Sequence, residues 1–185
     1  MTDIITAIRH ELAVSLEGIS WPATLEVYRG WVEDARFVVP SVSVVVGRPQ
    51  RTPHITEERR EDVDADTIAV YWRIETVEVP ASLIFYTETK TTRRDIADVM
   101  DKWLHPGPAD NVSEPPRGRK SIVLGEHHDA ECELIHDSDV QDDDEGRGGG
   151  WWKLEYSLTC RAPKLRRQEY EKATWSANTE LVDAL

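Results

Sequence analysis

The chain has 185 residues, and 35 Asp plus Glu outweigh 22 Lys plus Arg to give a formal net charge of −13. That balance argues against a general nucleic-acid binder, which needs a basic face for phosphates, and against docking on anionic lipid. No apolar run approaches the roughly 18 residues of a membrane-spanning helix, and seven Trp argue against simple disorder.

The length fits one domain with an appendage. Met1-Thr2-Asp3-Ile4 lacks a basic stretch leading into an apolar one, so no signal peptide is expected. Cys132 and Cys160 are the only cysteines. A single pair in a chain this long is not a disulfide framework, and two reduced, packed thiols are expected.

In chain order, Asp3 is placed to cap a first helix whose stripe is Ile4, Ile8, Leu12 and Leu16, flanked by Ile5 and Ala13, with Gly18 as its stop. Two strands are predicted next, Thr24–Arg29 and Arg36–Gly47. The second is dense in Val, and its Pro40 should mark a start, a bulge or an edge. Residues 48–66 carry Pro49, Pro53 and the run Glu57–Asp66 and read as a long exposed loop or hairpin extension.

Strand character returns at 67–79, with a phase shift that predicts a bulge near Glu75-Thr76. Ala81–Thr87 either continues that strand past Pro80 or pairs back on it. A second helix has Thr92 as expected N-cap, answered by Asp95, and the stripe Ile96, Val99, Met100, Trp103 and Leu104. After a Pro-rich loop at 105–118 come short strands at Lys120–Gly125 and Asp129–His136, then an acidic hairpin tip at 137–150. Trp151–Cys160 alternates cleanly, with Trp152, Leu154, Tyr156, Leu158 and Cys160 on one face. Residues 163–185 are polar and sparse in apolar groups, forming an arm that is frayed or docked on a partner.

The fold class expected from this order is α+β: an antiparallel or mixed sheet packed by two helices, with long charged loops. It spans residues 1–162 and carries the C-terminal arm at 163–185.

The chemistry-bearing candidates are few. His127, His128 and Asp129, with Glu131 and His136 nearby, form the densest metal-ligating group, but adjacent strand residues point to opposite faces. Asp137, Asp139 and Gln141 alternate as a calcium loop would, yet Asp142 stands where the central glycine belongs. Gly146–Gly150 lacks the lysine and helix of a phosphate loop, and no serine sits in a nucleophile elbow. No catalytic residue, metal or cofactor is therefore assigned.

Interaction is the better-supported role. Tyr71, Trp72, Trp151 and Trp152 put aromatics on both faces of their strands, and Tyr170, Trp175 and Leu181 dot the arm; all are candidate interface residues. Asp137, Asp139, Asp142, Asp143, Asp144 and Glu145 are candidates for an acidic contact loop. From Glu126 to Glu145 there are ten acids and no Lys or Arg, so much of the net charge belongs to one region.

The order helix Ile4–Leu16, Val-rich strand ending in Gly47, long strand pair Ile68–Tyr86, helix Thr92–Leu104, then polar strands ending in Trp151–Cys160, resembles a known family. It is similar to the tail terminator, or tail-completion, proteins of long-tailed bacteriophages and related contractile or gene-transfer particles. The resemblance covers roughly residues 2–162 and lies in the order and character of elements. The loop at 48–66, the acidic insert and the tail exceed what compact members need.

The resemblance implies a structural virion protein, not an enzyme, assembled in the host cytoplasm. It implies a homo-oligomeric ring, commonly a hexamer, that caps the tail tube and joins it to the head around the DNA channel. Its partners would be the tail tube protein and neck or head-completion proteins, with DNA passing through ungripped and no membrane involved. The alternatives are another neck or baseplate component, a small acidic metal-binding protein or enzyme using His127, His128 and Asp129, and a DNA-mimicking inhibitor.

Overall fold

The longest apolar alternation in the sequence makes the spine of the fold. In the computed structural model, which describes residues 3–31, 38–105, 120–127, 129–142 and 151–172, the 21-residue strand β4 (Thr67–Thr87) runs straight through Pro80. Beside it lies β7 (Trp152–Glu171), antiparallel over its whole length. The other strands are β1 (Glu26–Tyr28), β2 (Ser41–Val46), β3 (Gln50–Asp62), β5 (Lys120–Leu124) and β6 (Ala130–Asp142). The helices are α1 (Ile4–Glu17) and α2 (Lys90–Leu104).

The strands form one mixed sheet in the order β1-β2-β4-β7-β6-β5, with β3 also on β4. Only β1 and β2 pair in parallel. β2 and β3 share the same side of β4, one after the other: Val46 sits opposite Ala81 and Gln50 opposite Glu78. Pro80 falls in the gap between them. Its carbonyl accepts from Gly47 N at 2.8 Å, so its imide nitrogen faces the same gap, where no ladder donor is required. Gly47 is needed for that approach, because a Cβ there would stand 2.9 Å from Pro80 Cγ.

The sheet does not lie flat. α1 touches β2 near one side of the sheet and β5 at the opposite edge, so the sheet curls around it as a half-barrel. Val77, Val79, Ala81, Leu83 and Phe85 of β4 share the inner face with Leu154, Tyr156, Leu158, Cys160 and Ala162 of β7, as their register requires. Ile8, Leu12 and Leu16 of α1 and Ile96, Met100 and Leu104 of α2 fill the same core. This corrects the α+β expectation. With 58% strand and 22% helix among the described residues, the fold is mostly β, and its helices fill a curl instead of forming a layer over a flat sheet. Helix stripes show that an apolar face is buried; they do not show the curvature of the surface that buries it.

Other boundaries also differ from expectation. α2 starts earlier: Thr89 is the N-cap, its hydroxyl accepting from Thr92 N at 3.1 Å. The β4 bulge falls between Arg73 and Glu75 in the pairing with β7, close to its predicted place. β6 continues into the predicted tip as far as Asp142, and β7 carries 163–171 of the predicted arm as regular strand. The expected face Trp152, Leu154, Tyr156, Leu158, Cys160 is the inner one, with Trp152 half-buried at its end. Cys132 and Cys160 are free and fully buried.

Tyr156 is a fulcrum of this core. Its ring packs edge-on to Phe85 with centroids 6.2 Å apart. Its hydroxyl reaches Asp101 Oδ1 at 3.2 Å and the Ala97 carbonyl at 3.4 Å. Burial, then the Asp101 charge, push the phenol above its ordinary range. A raised folded value means the neutral phenol is the form the fold favours. Its contribution is complete below about pH 10, the unfolded value, and is lost as pH rises toward the folded one. Tyr156→Phe is expected to flatten that alkaline loss and to cost about 0.5–1.5 kcal/mol at neutral pH. Urea unfolding at pH 7 and pH 10.5 measures both.

Candidate functional site

Beyond the core the sheet narrows to a three-stranded ribbon made of β3, residues 67–76 of β4 and residues 163–171 of β7. Every β3 side chain is exposed or half-exposed, so no apolar alternation marks it in the sequence. This ribbon is the second of the two forms expected for 48–66, a hairpin extension, and it recruits the start of the predicted arm as its third strand.

The ribbon is held by charge and stacking. Glu75 of β4 pairs with Arg51 of β3 and Lys164 of β7, each at 3.4 Å. Arg161 of β7 bridges Glu78 of β4 at 2.8 Å and Glu133 of β6 at 3.6 Å. Arg73 pairs with Glu58, and Lys172 meets Asp62 at 3.0 Å. Each exposed pair contributes roughly 0–1 kcal/mol, but together they mark one register across three strands. Tyr71 is 7% exposed; the Arg59 guanidinium lies 4.2 Å from its ring centre. Arg167 is held charged by hydrogen bonds to Tyr71 and Glu169.

The ribbon has two outer edges. Among the described residues, β6 leaves β7 after Arg161, and no strand pairs with the side of 162–171 away from β4. The outer side of β3 has no described strand partner either. β3 carries Pro53, two register irregularities and charges of both signs, the features that guard an edge against indiscriminate pairing. Each edge strand nonetheless exposes an apolar side chain: Ile55 on β3 is 80% exposed and Tyr170 on β7 is 39% exposed.

The predicted interface residues are therefore not gathered in one patch. Tyr71 and Trp72 lie in the ribbon, with Tyr71 packed within its own chain, and Tyr170 stands on its β7 edge. Trp151 is 41% exposed at the other end of β7. Trp152 lies under Arg93 and Lys90 of α2, 5.0 and 5.6 Å from its ring centre. Trp175 and Leu181 lie outside the described residues.

Of the acidic candidates, Asp137 accepts from the Thr159 hydroxyl at 2.8 Å, Asp139 lies 3.9 Å from His136 Nε2, and Asp142 closes β6 opposite Lys153. Asp143, Asp144 and Glu145 lie outside the described residues. So does His128; its neighbours His127 and Asp129 sit in the tight turn between β5 and β6, where Asp129 takes φ 53°. Among the described residues, no group of three or more His, Cys, Asp or Glu side chains is placed to hold a metal ion.

The arrangement is that of a mostly-β protein with a curled body and a charged, open-edged ribbon. No protein-family model matches the chain, and no curated protein matches it.

Proposed function

We propose that this chain is the ring-forming subunit that terminates a phage-type tail tube and joins it to the head around the DNA channel. The observation that carries the reading is the ribbon, whose two edges on opposite sides pair with no described strand. Such edges support a heterologous, head-to-tail joint in which β7 of one copy meets β3 of the next. Repeated by rotation, such a joint closes into a ring. The edges are charged and irregular, which suits one specific partner better than open-ended stacking.

Charge supports the same reading. Glu131, Glu133, Asp137 and Asp139 of β6 belong to the strongly acidic stretch, and an acidic surface beside a channel repels phosphates and lets DNA pass ungripped. The partners on this reading are further copies of the chain, the tail tube below and neck or head-completion proteins above. The test is electron microscopy of the purified, tag-free full chain. Closed rings with an open centre support the proposal, and single copies at tens of micromolar contradict it.

A further inference from the structure

We propose that His105 and His136 form a two-histidine seat for a divalent transition-metal ion of the zinc class, tying the end of α2 to β6. His105 follows the last residue of α2 as its C-cap. His136 lies on β6, and its Nδ1 is 3.3 Å from His105 Nε2. Two nitrogens bound to one tetrahedral zinc at 2.0–2.1 Å stand about 3.3–3.4 Å apart. The ring centres would then be about 5.2 Å apart on the same geometry; here they are 5.4 Å apart. The imidazoles therefore already hold the spacing of adjacent ligands, and an ion would replace the proton they share.

The surroundings supply what such a seat needs. On an unbroken strand, His136 and Asp139 would face opposite sides. The β6 ladder is irregular between His136 and Ser138, and the extra residue turns Asp139 to the His136 side, a common use of a bulge. His136 Nε2, the ring nitrogen that does not face His105, is buried with no hydrogen-bond partner among the described residues. Asp139 Oδ1 lies 3.9 Å from it, about 1 Å short of a hydrogen bond, and a small turn of that side chain on binding would close the gap. A carboxylate behind a metal-bound imidazole orients the ring and raises its basicity.

Across the gap, Asp98 and Asp101 repeat on α2 at the spacing that leads on to His105, so they share its side of the helix. Asp98, Asp101, Lys102, His105, His136 and Asp139 line one open cleft of about 620 Å³. Its three carboxylates outweigh the Lys102 charge, and it has room for the waters that complete the coordination. Asp101 is also bonded to the Tyr156 hydroxyl, which fixes that carboxylate to the core. The seat is independent of ring assembly and is a different place from the His127–Asp129 turn.

The experiment uses the tag-free full chain with Zn2+ alone, followed by calorimetry, and Co2+ alone, followed by visible absorption. One ion per chain is expected, with the cobalt spectrum of mixed nitrogen and oxygen ligands. Affinity should fall at least about tenfold in Asp139→Asn, and further in His105→Gln and in His136→Gln. His10→Gln, on the exposed side of α1, should bind as the parent does. Circular dichroism of each variant separates lost binding from lost folding. No uptake by the parent chain overturns the proposal, as does equal uptake by the folded His105→Gln and His136→Gln variants.

Discussion

Leu12→Ala in α1 is expected to cost about 2–5 kcal/mol, one of the largest losses available to a single side chain here. Leu12 is fully buried, and its helix touches β2 and β5 from within the curl. The cavity would open where the two sides of the half-barrel are held to a common filler, not at one helix–sheet seam. Urea denaturation measures the loss. Amide hydrogen exchange gives the more specific readout: protection should fall together in β2 and β5, while the outer ribbon, which α1 does not support, keeps its pattern. Loss confined to β2 would mean that α1 does not bridge the sheet.

The double variant Ile55→Asp, Tyr170→Asp is expected to separate assembled copies without unfolding them. Both side chains sit on outer ribbon strands and are well exposed, so their replacement costs the single chain little. In the proposed joint they lie on the two edges that meet. Burying a new carboxylate there removes an apolar contact and adds an unpaired charge, about 2 kcal/mol or more per joint. That is roughly a 30-fold weakening at every joint of the ring. Sedimentation should show single copies where the parent chain forms rings, with unchanged circular dichroism and an unfolding midpoint that no longer depends on chain concentration.

The inner parts of the fold were legible because burial imposes a period. The α1 stripe, the α2 stripe and the alternation of Trp152 through Cys160 each named the face that meets the core. The phase change in β4 located its bulge. What escaped is what burial does not write. β3 exposes nearly all its side chains, so its charges read equally as loop. Residues 163–171 look like a tail because their strand is stabilised by β4 and cross-strand ion pairs, not by an apolar face. Curvature escaped for a related reason, since an inward-facing residue alternates the same way on a flat sheet as on a curled one.

The candidate sites divide along the same line. The exposed Trp151 and Tyr170 were visible as aromatics that their strands do not bury. The pairing of His105 with His136 was not, although the Asp98, Asp101, His105 spacing was present in the sequence. His136 and Asp139 share a side only because the β6 register shifts between them, and nothing in residue type announces that shift. The net charge of −13 argues against tight DNA binding; on the folded chain, Glu131, Glu133, Asp137, Asp139 and Asp142 place part of it along β6.

Closure of this chain on itself through its ribbon is decided by the mass of the tag-free full chain in solution across micromolar concentrations. A discrete assembly near six times the 21.1 kDa chain is expected, reduced to single copies by the Ile55→Asp, Tyr170→Asp pair. A parent chain that remains at 21.1 kDa throughout, or an assembly unaffected by that pair, would contradict it.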